Sequence, residues 1–548
     1  MDRRRKHWGW GYEDQQLTAD QLEGSARAVC ERLGYSLAQL EQPVALEQLQ
    51  LAEPRVAIPR RLAAFSVADI HARASHALGK SYVDVVRGFR GHFEHPPDFV
   101  ARPRDELELE LVLEWCSAEG VAAIPYGGGT SVVGGVTPAV GDAYNGAVSI
   151  DLGRLDRVLE VDELSSAALI EAGATGPRLE GQLRERDLTL RHFPQSFEYS
   201  TLGGWIATRA GGHFATLWTH IEDLVESVRA ITPSGVWESR RVPGSGAGIS
   251  PDRMLAGSEG ILAVITRAWV RVQRRPEHRG SRAVSFRSFA EGAAAVRAIS
   301  QAGLHPANCR LLDGGETALA MGGDGSESLL VLGFESPDHP VQEAMERALV
   351  LCAGHGGRVA AEGAGSGERD SGERDSAAAG DDRPGEDPVA SWRRSFMAMP
   401  YMRDVMVACG VLAETFETAV TWDRFPALHE RVTHAAEQAL PDDGRGKARV
   451  NCRFTHVYPD GPAPYFTVIA PARRGGEVEQ WQQVKAAVSD AILQEGGTIT
   501  HHHAVGRDHR PWYDRQRPDP FAQALRGAKA ALDPAGVMNP GVLIEAPR

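Results

Sequence analysis

The chain has 548 residues, of which 42% are hydrophobic and 24% are charged. This composition is ordinary for a globular protein and excludes a globally disordered one. A chain of this length exceeds what one hydrophobic core usually serves, so at least two domains are expected. The net charge of -14 at pH 7 repels nucleic acid, and no nucleic-acid partner is therefore expected.

Three features of the sequence bear on where the protein works. The six cysteines are scattered without a CxxC pair, which favours reduced thiols and no structural disulfide. Basic residues Arg3 to Lys6 are followed by a polar, glycine-broken stretch and not by the apolar region of a signal peptide. No apolar run approaches the roughly 18 residues that suggest a membrane-spanning helix. We expect a cytoplasmic protein, with peripheral contact with a membrane left open.

The N-terminal half predicts a preamble followed by a mixed α/β domain. Residues 1–94 are expected to be helical or irregular, since Thr18 and Gln21 form a capping-box pattern. Residues 95–276 are expected to form one domain, in which a strand runs directly into a glycine-rich loop. Its predicted strands are Val121–Ile124, Val148–Leu152, Arg157–Val161, Ala168–Ala174, Val225–Thr232 and Ile261–Val272, and Pro177–Leu188 is a predicted helix.

The C-terminal half predicts a second, α+β domain over residues 277–515. Its helix-like stretch Ala290–Ala302 is followed by strand-like stretches such as Ser328–Phe334 and Tyr465–Ala470. Residues 363–388 contain the tandem SGERDSGERDS and are predicted to be a disordered surface insertion, because so polar a segment cannot build a core. Residues 516–548 begin helical and are expected to pack back on the first domain.

The loop PYGGGTSVVGG, Pro125 to Gly135, is the strongest functional signal. Gly127–Gly129 directly follow a strand, and Thr130 and Ser131 come next. Residues with little bulk can turn successive N–H groups toward a phosphate, and the hydroxyls add donors, so the loop suits the pyrophosphate of a dinucleotide. The spacing fits neither GxGxxG nor GxxxxGK[ST]. Alone, the three glycines would more often be a flexible turn.

Later clusters of glycine and hydroxyl residues strengthen the dinucleotide interpretation. They are QSFEYSTLGGW at 195–205, TRAGG at 208–212 and GSEGILAVIT at 257–266. The last joins a tight turn to a strand and can bring the backbone of Ile265 against a flat ring. Such clusters are hard to explain as ordinary turns.

These blocks resemble, in order and spacing, the FAD-binding domain of vanillyl-alcohol-oxidase-type (PCMH-type) flavoproteins. Within that superfamily the chain is most similar to the alkylglycerone-phosphate (alkyl-dihydroxyacetone-phosphate) synthases. The narrower likeness rests on IEDLVESVRAITPSG (221–235), YMRD (401–404), AETFETAVTWDR (413–424), CRFTHVYPDGPAPYF (452–466) and HHHAVG (501–506). The resemblance implies an α+β fold with a two-subdomain FAD-binding domain, a cap domain for the substrate and a C-terminal return to the FAD domain.

The resemblance also implies the residues that contact FAD. Because the loop carries neither the His nor the Cys that holds covalent flavin in some relatives, we expect FAD to be non-covalent. The implied contacts are Pro125, Tyr126, Gly127, Gly128, Gly129, Thr130, Ser131, Gln195, Ser196, Phe197, Glu198, Tyr199, Ser200, Thr201, Thr208, Arg209, Ala210, Gly211, Glu259, Gly260, Ile261, Leu262, Ala263, Val264 and Ile265.

The histidine run His501, His502 and His503 allows a metal site, a proton-transfer site or a solvated loop. Adjacent side chains diverge on an extended backbone, so ligation of one ion by all three is improbable, and we expect no metal. A random triplet would favour the surface loop. The match to a histidine triplet that the synthases need implies a catalytic role, with imidazole as acid, base or phosphate donor.

Tyr465 and Arg403 complete the implied site. A tyrosine on a strand is usually core packing, but the resemblance makes Tyr465 the proton donor and acceptor, a role that suits a lowered pKa. Arg403 could simply pair with the neighbouring Asp404 at the surface. The resemblance instead places its planar fork on a phosphate or carboxylate of the substrate.

The implied reaction exchanges the acyl chain of acyl-dihydroxyacetone phosphate for a fatty alcohol through a flavin N5 adduct, in ether lipid synthesis. The partner is therefore a small-molecule or lipid substrate, and analogy favours a homodimer. Gly244 stands where eukaryotic synthases have an arginine, and the 363–388 insertion is foreign to the family. An FAD-linked 2-hydroxyacid dehydrogenase or oxidase is the alternative, although HHHAVG replaces its usual GEHG element. A flavin- or lipid-binding protein without turnover is the third reading.

Overall fold

The computed structural model describes residues 3–213, 216–321, 324–359, 399–442 and 444–545. The predicted insertion, residues 363–388, lies outside the described residues. All six cysteines have free, buried thiols. Within the described ranges, no helix combines the length and apolar character needed to cross a membrane.

The described part of the N-terminal region consists of helices joined by irregular segments, and it packs against the rest of the chain. Its first helix begins at the capping box of Thr18 and Gln21 and ends at Gly34 in a left-handed conformation. Buried apolar residues of this region share a core with residues of the cap domain. The helices are α1 (Ala19–Leu33), α2 (Ile70–Ser75) and α3 (Tyr82–Phe89).

The first half of the FAD-binding domain is a four-stranded sheet that carries the glycine loop at the end of a buried strand. The strand before this loop lies parallel to its neighbour, so the loop emerges at the carboxyl edge of the sheet. The strands and covering helix are β1 (Ser66–Val67), β2 (Phe99–Ala101), α4 (Glu106–Glu119), β3 (Val121–Tyr126) and β4 (Gly146–Asp151), and the strand order is β1-β2-β4-β3.

The second half of the FAD-binding domain is an antiparallel five-stranded sheet. Its order is β5-β6-β10-β8-β9, and α5 and α6 contribute to the apolar core beside it. A separate two-stranded pairing joins β7 to β11. The elements are β5 (Val158–Asp162), β6 (Ala167–Glu171), α5 (Gly176–Arg184), β7 (Leu188–Thr189), α6 (Leu202–Thr208), β8 (Val225–Thr232), β9 (Gly235–Glu238), α7 (Pro251–Leu255), β10 (Val264–Arg271) and β11 (Gln273–Arg274).

The cap domain is built on a seven-stranded antiparallel sheet with the order β15-β12-β14-β13-β17-β18-β16. Helices α8, α10, α12 and α13 share one large apolar core with this sheet. The elements are β12 (His278–Phe286), α8 (Phe289–Gln301), β13 (Asn308–Leu312), α9 (Gly314–Met321), β14 (Ser328–Ser336), α10 (Gln342–Gly354), β15 (Arg358–Val359), α11 (399–408), β16 (Val411–Glu417), α12 (Phe425–Ala439), β17 (Arg449–Val457), β18 (Pro462–Pro471) and α13 (Glu477–Gln494).

One face of the cap sheet packs against the helices and the other lines a cavity, as the side chains of strand β18 show. Its side chains alternate between faces, as a pleated strand requires. Phe466, Val468 and Ala470 belong to the apolar core under the helices. Tyr465 and Ile469 point the other way and line the cavity that faces the FAD-binding domain.

The C-terminal segment returns to the FAD-binding domain, as expected. After α14 (Arg510–Gln516) and α15 (Asp519–Leu532), the chain pairs with the glycine-loop strand, since Ala123 donates to the Val537 carbonyl at 2.8 Å. Buried Lys529 holds this return in place. Its Nζ donates to the carbonyls of Ile261 at 2.9 Å and Met538 at 2.7 Å and to Asp533 at 2.8 Å.

Replacement of Lys529 by methionine should therefore loosen the FAD-binding domain. The change leaves a buried carboxylate and two carbonyl groups without their donor, which costs about 3–5 kcal/mol for a broken buried ion pair. We expect a clear fall in melting temperature by calorimetry and weaker flavin retention. The exposed Lys447→Met is the control, and equal melting temperatures for the two variants would contradict the role of Lys529.

Candidate active site

A cavity of about 710 Å³ lies between the FAD-binding domain and the inner face of the cap sheet. The glycine loop and the residues after β7 form one wall, and strands β16, β17 and β18 form the opposite wall. Helices α1, α9 and α11 close its remaining side, with apolar residues that include Val29, Leu319 and Met402. The cavity therefore joins a polar cradle to an apolar chamber.

The cradle requires glycine because the loop is pressed against the chain. A Cβ at Gly128 would collide with the carbonyl oxygen of Tyr199, and one at Gly127 would collide with the Thr201 hydroxyl. Gly129 has a left-handed conformation, with φ 66°, that only glycine adopts freely. The loop is thus shaped by its contacts and is not a merely flexible turn. The loop lines the cavity, and the backbone amides of such a glycine-rich loop can bind an anionic group.

Most of the predicted FAD contacts line this cavity. They are Pro125, Tyr126, Gly127, Gly128, Gly129, Thr130, Ser131, Gln195, Ser196, Ser200, Thr201, Thr208, Ala210, Gly211, Glu259, Gly260, Ala263, Val264 and Ile265. These residues come from four separate stretches of sequence, 125–131, 195–201, 208–211 and 259–265, which the two subdomains bring to one wall.

The remaining predicted contacts do not line the cavity but support its wall. Phe197, Ile261 and Leu262 are buried in the apolar core of the second subdomain. Arg209 pairs with Glu222 at 2.6 Å. The other two are Glu198 and Tyr199, which meet Tyr401 through short hydrogen bonds.

Glu259 is a buried carboxylate at the edge of the cradle. It accepts hydrogen bonds from the backbone N–H groups of Val505 at 2.9 Å and Gly506 at 2.8 Å, which follow the histidine triplet. Burial raises the pKa of Glu259 to about 7, and these two donors oppose that shift. The side chain couples the cradle to the loop that carries the histidines.

Tyr465 and Arg453 face each other on neighbouring strands of the cap sheet. The antiparallel register pairs the two residues directly, and the Arg453 guanidinium carbon lies 4.0 Å from the centre of the Tyr465 ring. Arg453 is buried and is held by Glu316, with both carboxylate oxygens at 3.2 Å. Its Nε and Nη2 have no hydrogen-bond partner among the described residues. These donors are free for an anionic ligand.

The histidine triplet is fixed by one buried carboxylate, Glu417. The backbone N–H groups of His501, His502 and His503 donate to its two oxygens at 2.6, 3.0 and 2.8 Å. His502 and His503 line the cavity beside Tyr465, with ring centres 6.3 and 5.6 Å from the tyrosine ring. His501 does not line the cavity. Its Nδ1 lies 3.0 Å from that of His502, and its Nε2 lies 2.7 Å from the Tyr458 hydroxyl.

Arg403 lines the cavity, and its simple pairing with Asp404 is not what the structure shows. Its Nη1 donates to the carbonyl of Lys80 at 2.6 Å. Asp404 is buried instead against Lys6, whose Nζ lies 3.2 Å away. The guanidinium is therefore positioned by backbone and aimed into the cavity.

Burial sets the protonation states of the site. It lowers the pKa of His502 and of His503 to about 3, so both rings are neutral near pH 7. Burial also raises the pKa of Tyr465, while the charges of Arg453 and Arg403 oppose the shift. Desolvation thus outweighs both cations, so the pKa of Tyr465 is not the lowered one that would suit a proton donor and acceptor. The site begins with a protonated phenol and neutral imidazoles.

Several residues of the site were missed in the sequence. Arg453 and Glu417 lie within the CRFTHVY and AETFETAVTWDR blocks that carry the family likeness, and those blocks were the available signal. Glu316 and Asn539 carry no motif, and they reach the site only through the fold. Further cavity residues outside every motif are Val136, Leu152, Pro194 and Ala207.

Comparison with known proteins supports a flavin site. A model of the FAD binding domain matches residues 97–239, and a model of the C-terminal domain of FAD linked oxidases matches residues 275–543. Alkyldihydroxyacetonephosphate synthase of Trypanosoma brucei brucei is 31% identical over 485 residues, which cover 87% of this chain and 78% of that protein. The chain belongs to the alkyldihydroxyacetonephosphate synthase family. The synthase of Dictyostelium discoideum is 30% identical and covers 86% of this chain and 77% of its own length.

Solved structures confirm the fold of this synthase-family chain. A structure of alkyldihydroxyacetonephosphate synthase superposes with a TM-score of 0.79 at 24% identity and covers 98% of this chain and 97% of its own. The predicted PCMH-type architecture is therefore confirmed. The family models and the synthase relatives also confirm FAD as the cofactor of an FAD-dependent enzyme.

Gly128→Ala should empty the flavin site without unfolding the protein. The added methyl group collides with the Tyr199 carbonyl, so the loop must move away from its amide-exposing conformation. We expect the flavin-to-protein absorbance ratio to fall several-fold. Gly181→Ala on α5 is the control, since nothing lies within 4 Å of the position that its added methyl group would take. Full flavin content in Gly128→Ala would refute the cradle.

Glu259→Gln should change how stability depends on pH. Because the folded pKa of about 7 lies above the ordinary value of 4.5, this group stabilises the fold below about pH 4.5 and loses that contribution as the pH rises to about 7. Glutamine does not titrate. The parent should therefore lose about 3 kcal/mol of stability relative to the variant between about pH 5 and pH 8. The measurement is the difference between the two melting temperatures, which should shift in favour of the variant across this range.

The matched control for this titration is Glu163→Gln, on an exposed turn. Its melting temperature should follow that of the parent at every pH. A constant difference between Glu259→Gln and the parent across the range would show that Glu259 does not titrate there.

Proposed function

We propose that this chain exchanges the acyl group of an acyl-dihydroxyacetone phosphate for a long-chain alcohol, forming an ether bond. The observation that carries the proposal is the placement of Tyr465, His502, His503 and two arginines opposite the flavin cradle in one cavity. The synthase relatives, which cover most of the chain, support the same reaction.

The residues present fit FAD. The accessible glycine amides suit the pyrophosphate, and the cavity continues past Gly260 and Ile265 toward the cap sheet. When bound, FAD supplies a ring nitrogen that can replace the leaving acyl group without net redox change. We propose non-covalent binding, so acid precipitation should release the flavin.

Arg403 and Arg453 are the groups suited to the phosphate of the substrate. Arg403 is oriented by the Lys80 carbonyl, and Arg453 keeps two buried N–H groups without a partner among the described residues. A guanidinium binds phosphate oxygens with paired hydrogen bonds, and burial strengthens the attraction. Together they would fix the headgroup beside the Tyr465 hydroxyl.

Tyr465, His502 and His503 are placed for proton transfer at the substrate carbons. Because the phenol begins protonated, it serves first as a donor to a developing oxyanion. The neutral imidazoles can then accept the proton of the incoming alcohol. Glu417 holds both histidine backbones, so the acceptors stay in place through the exchange.

The apolar side of the cavity suits the fatty chains. Met399, Met402 and Met406 of α11 line it together with Val29 and Leu33 of α1. Flexible thioether side chains adapt to chains of different length. Helix α11 therefore also lines the chamber. We place the reaction in the cytoplasm at a membrane surface, because both substrates carry long apolar chains.

A redox reaction is the second candidate, and the match to the C-terminal domain of FAD linked oxidases favours it. A 2-hydroxyacid substrate would reduce the flavin. Anaerobic mixing with candidate hydroxyacids distinguishes the two, since rapid bleaching of the flavin by one of them would overturn the exchange reaction.

Tyr465→Phe tests the proposed chemistry most simply. Removal of the hydroxyl should lower the rate of alkyl-for-acyl exchange by about 10²–10⁴-fold, the usual contribution of a positioned acid or base. Flavin content should stay normal, because Tyr465 lies on the cap side of the cavity. The measurement is the appearance of ether product from acyl-dihydroxyacetone phosphate and hexadecanol. Tyr144→Phe, a buried tyrosine outside the cavity lining, is the matched control. Equal rates in Tyr465→Phe and the parent would exclude the assigned role.

A further inference from the structure

Three histidine rings from two distant stretches of sequence converge behind the cavity wall. They are His456 on β17 and His501 and His502 of the triplet, and one ring nitrogen from each lies within 4.8 Å of the other two. His456 is buried, and the other two are half-buried. His503, the third member of the run, does not join them.

Hydrogen-bond direction leaves the Nδ1 of His456 with a bare lone pair. Its Nε2 lies 2.7 Å from the carbonyl oxygen of Gly212, which can only accept, so Nε2 carries the hydrogen. Burial keeps the ring neutral by lowering its pKa well below the usual value. Nδ1 is buried and has no partner among the described residues.

The same reasoning leaves a lone pair on the Nδ1 of His501. The Nε2 of His220 donates to the His501 carbonyl at 3.0 Å, so its Nδ1 accepts from Thr219 at 3.2 Å. The Thr219 oxygen in turn accepts from the Tyr458 hydroxyl at 2.9 Å. Tyr458 must then accept from the Nε2 of His501 at 2.7 Å. The Nδ1 of His501 faces that of His502 at 3.0 Å.

We propose that His456, His501 and His502 form a binding site for a divalent transition-metal ion of the zinc class. Imidazole nitrogens suit Zn²⁺, Cu²⁺ and Ni²⁺, and do not suit Mg²⁺ or Ca²⁺. Zinc–nitrogen bonds of about 2.0–2.1 Å in a tetrahedron separate the nitrogens by about 3.4 Å, so only small ring movements are needed. The ion would replace the single hydrogen now shared by His501 and His502, and that proton would move to the Nε2 of His502.

The surroundings hold the ligands as metal sites require. The Gly212 carbonyl and the Tyr458 oxygen accept from the far nitrogens of His456 and His501, which orients both rings. Glu417 lies 3.4 Å from the Nδ1 of His502 and favours a cation. The positive charges of Arg310 and Arg453 also act on these rings, and they disfavour a bound cation. The fourth position should therefore take an anion such as hydroxide or chloride.

Occupancy would inhibit the enzyme. An ion on the Nδ1 atoms of His501 and His502 removes the lone pair of His502, which lines the cavity, from proton transfer. This consequence rests on the proposed exchange reaction, whereas binding of the ion does not.

The binding test uses the FAD-loaded protein, freed of metal by chelation and dialysis. Titration with Zn²⁺ in a calorimeter should show one site per chain, and Co²⁺ should give the intense visible bands of a tetrahedral site. His456→Gln keeps a donor for Gly212 but loses the ligand, so it should weaken binding at least tenfold. His429→Gln, on α12 between Phe289 and Phe425, is the control and should bind as the parent does.

Unchanged zinc affinity in His456→Gln, or pale octahedral Co²⁺ spectra in the parent, would overturn the site. If His456→Gln fails to retain flavin, X-ray absorption spectroscopy of the parent's zinc complex tests the site instead. Three imidazole nitrogens at about 2.0 Å from the zinc are expected, and fewer would overturn the site. Activity is a separate arm: zinc should inhibit ether formation by the parent and spare His456→Gln. Zinc binding with no ether formation under any condition would refute the proposed function and leave the site intact.

Discussion

The buried carboxylate of Glu417 is the interaction on which the cap side of the site depends. Three consecutive backbone amides donate to it, so the histidine triplet is held as a tight loop and not as an extended strand. Hydrogen bonds from N–H groups to a buried carboxylate are strong, and loss of the acceptor would leave the N–H groups of His501 and His502 unsatisfied, whereas that of His503 also donates to the Thr500 hydroxyl at 3.1 Å. Side chains on such a loop diverge, which explains why His503 faces the cavity and His501 does not.

The register of the cap sheet then determines what the histidines meet. Tyr465 on β18 lies between Glu417 on β16 and Arg453 on β17. The carboxylate that holds the histidines, the phenol and the guanidinium therefore form one row across the three strands. The same pleat buries Phe466 under the helices. The alternation of side chains along β18 thus places Tyr465 in the cavity and Phe466 in the apolar core. The flavin cradle opposes this row because Glu259 ties the cradle to the loop that carries the histidines.

Local patterns predicted a large part of this arrangement. The glycine loop, the strand Tyr465–Ala470 and the histidine triplet are visible because their signals lie in adjacent residues. The pairing of Arg453 with Tyr465 depends on strand register, and the contact of Arg403 with Lys80 joins residues far apart in sequence. The raised pKa of Tyr465 could not be predicted either, since it follows from burial by the whole cap domain. His456 was also missed, although it lies within the CRFTHVYPDGPAPYF block. Its neighbours in the histidine cluster, His501 and His502, are far away in the sequence.

The proposed function requires that the flavin in this cavity serve an exchange and not an oxidation. The decisive measurement is an anaerobic reaction of the FAD-loaded protein with acyl-dihydroxyacetone phosphate and ¹⁸O-labelled hexadecanol, with mass spectrometry of the product. Exchange should yield an ether that retains the labelled oxygen, one fatty acid released per ether formed, and oxidised flavin at the end of the reaction. Flavin that stays reduced, or a product without the label, would contradict it.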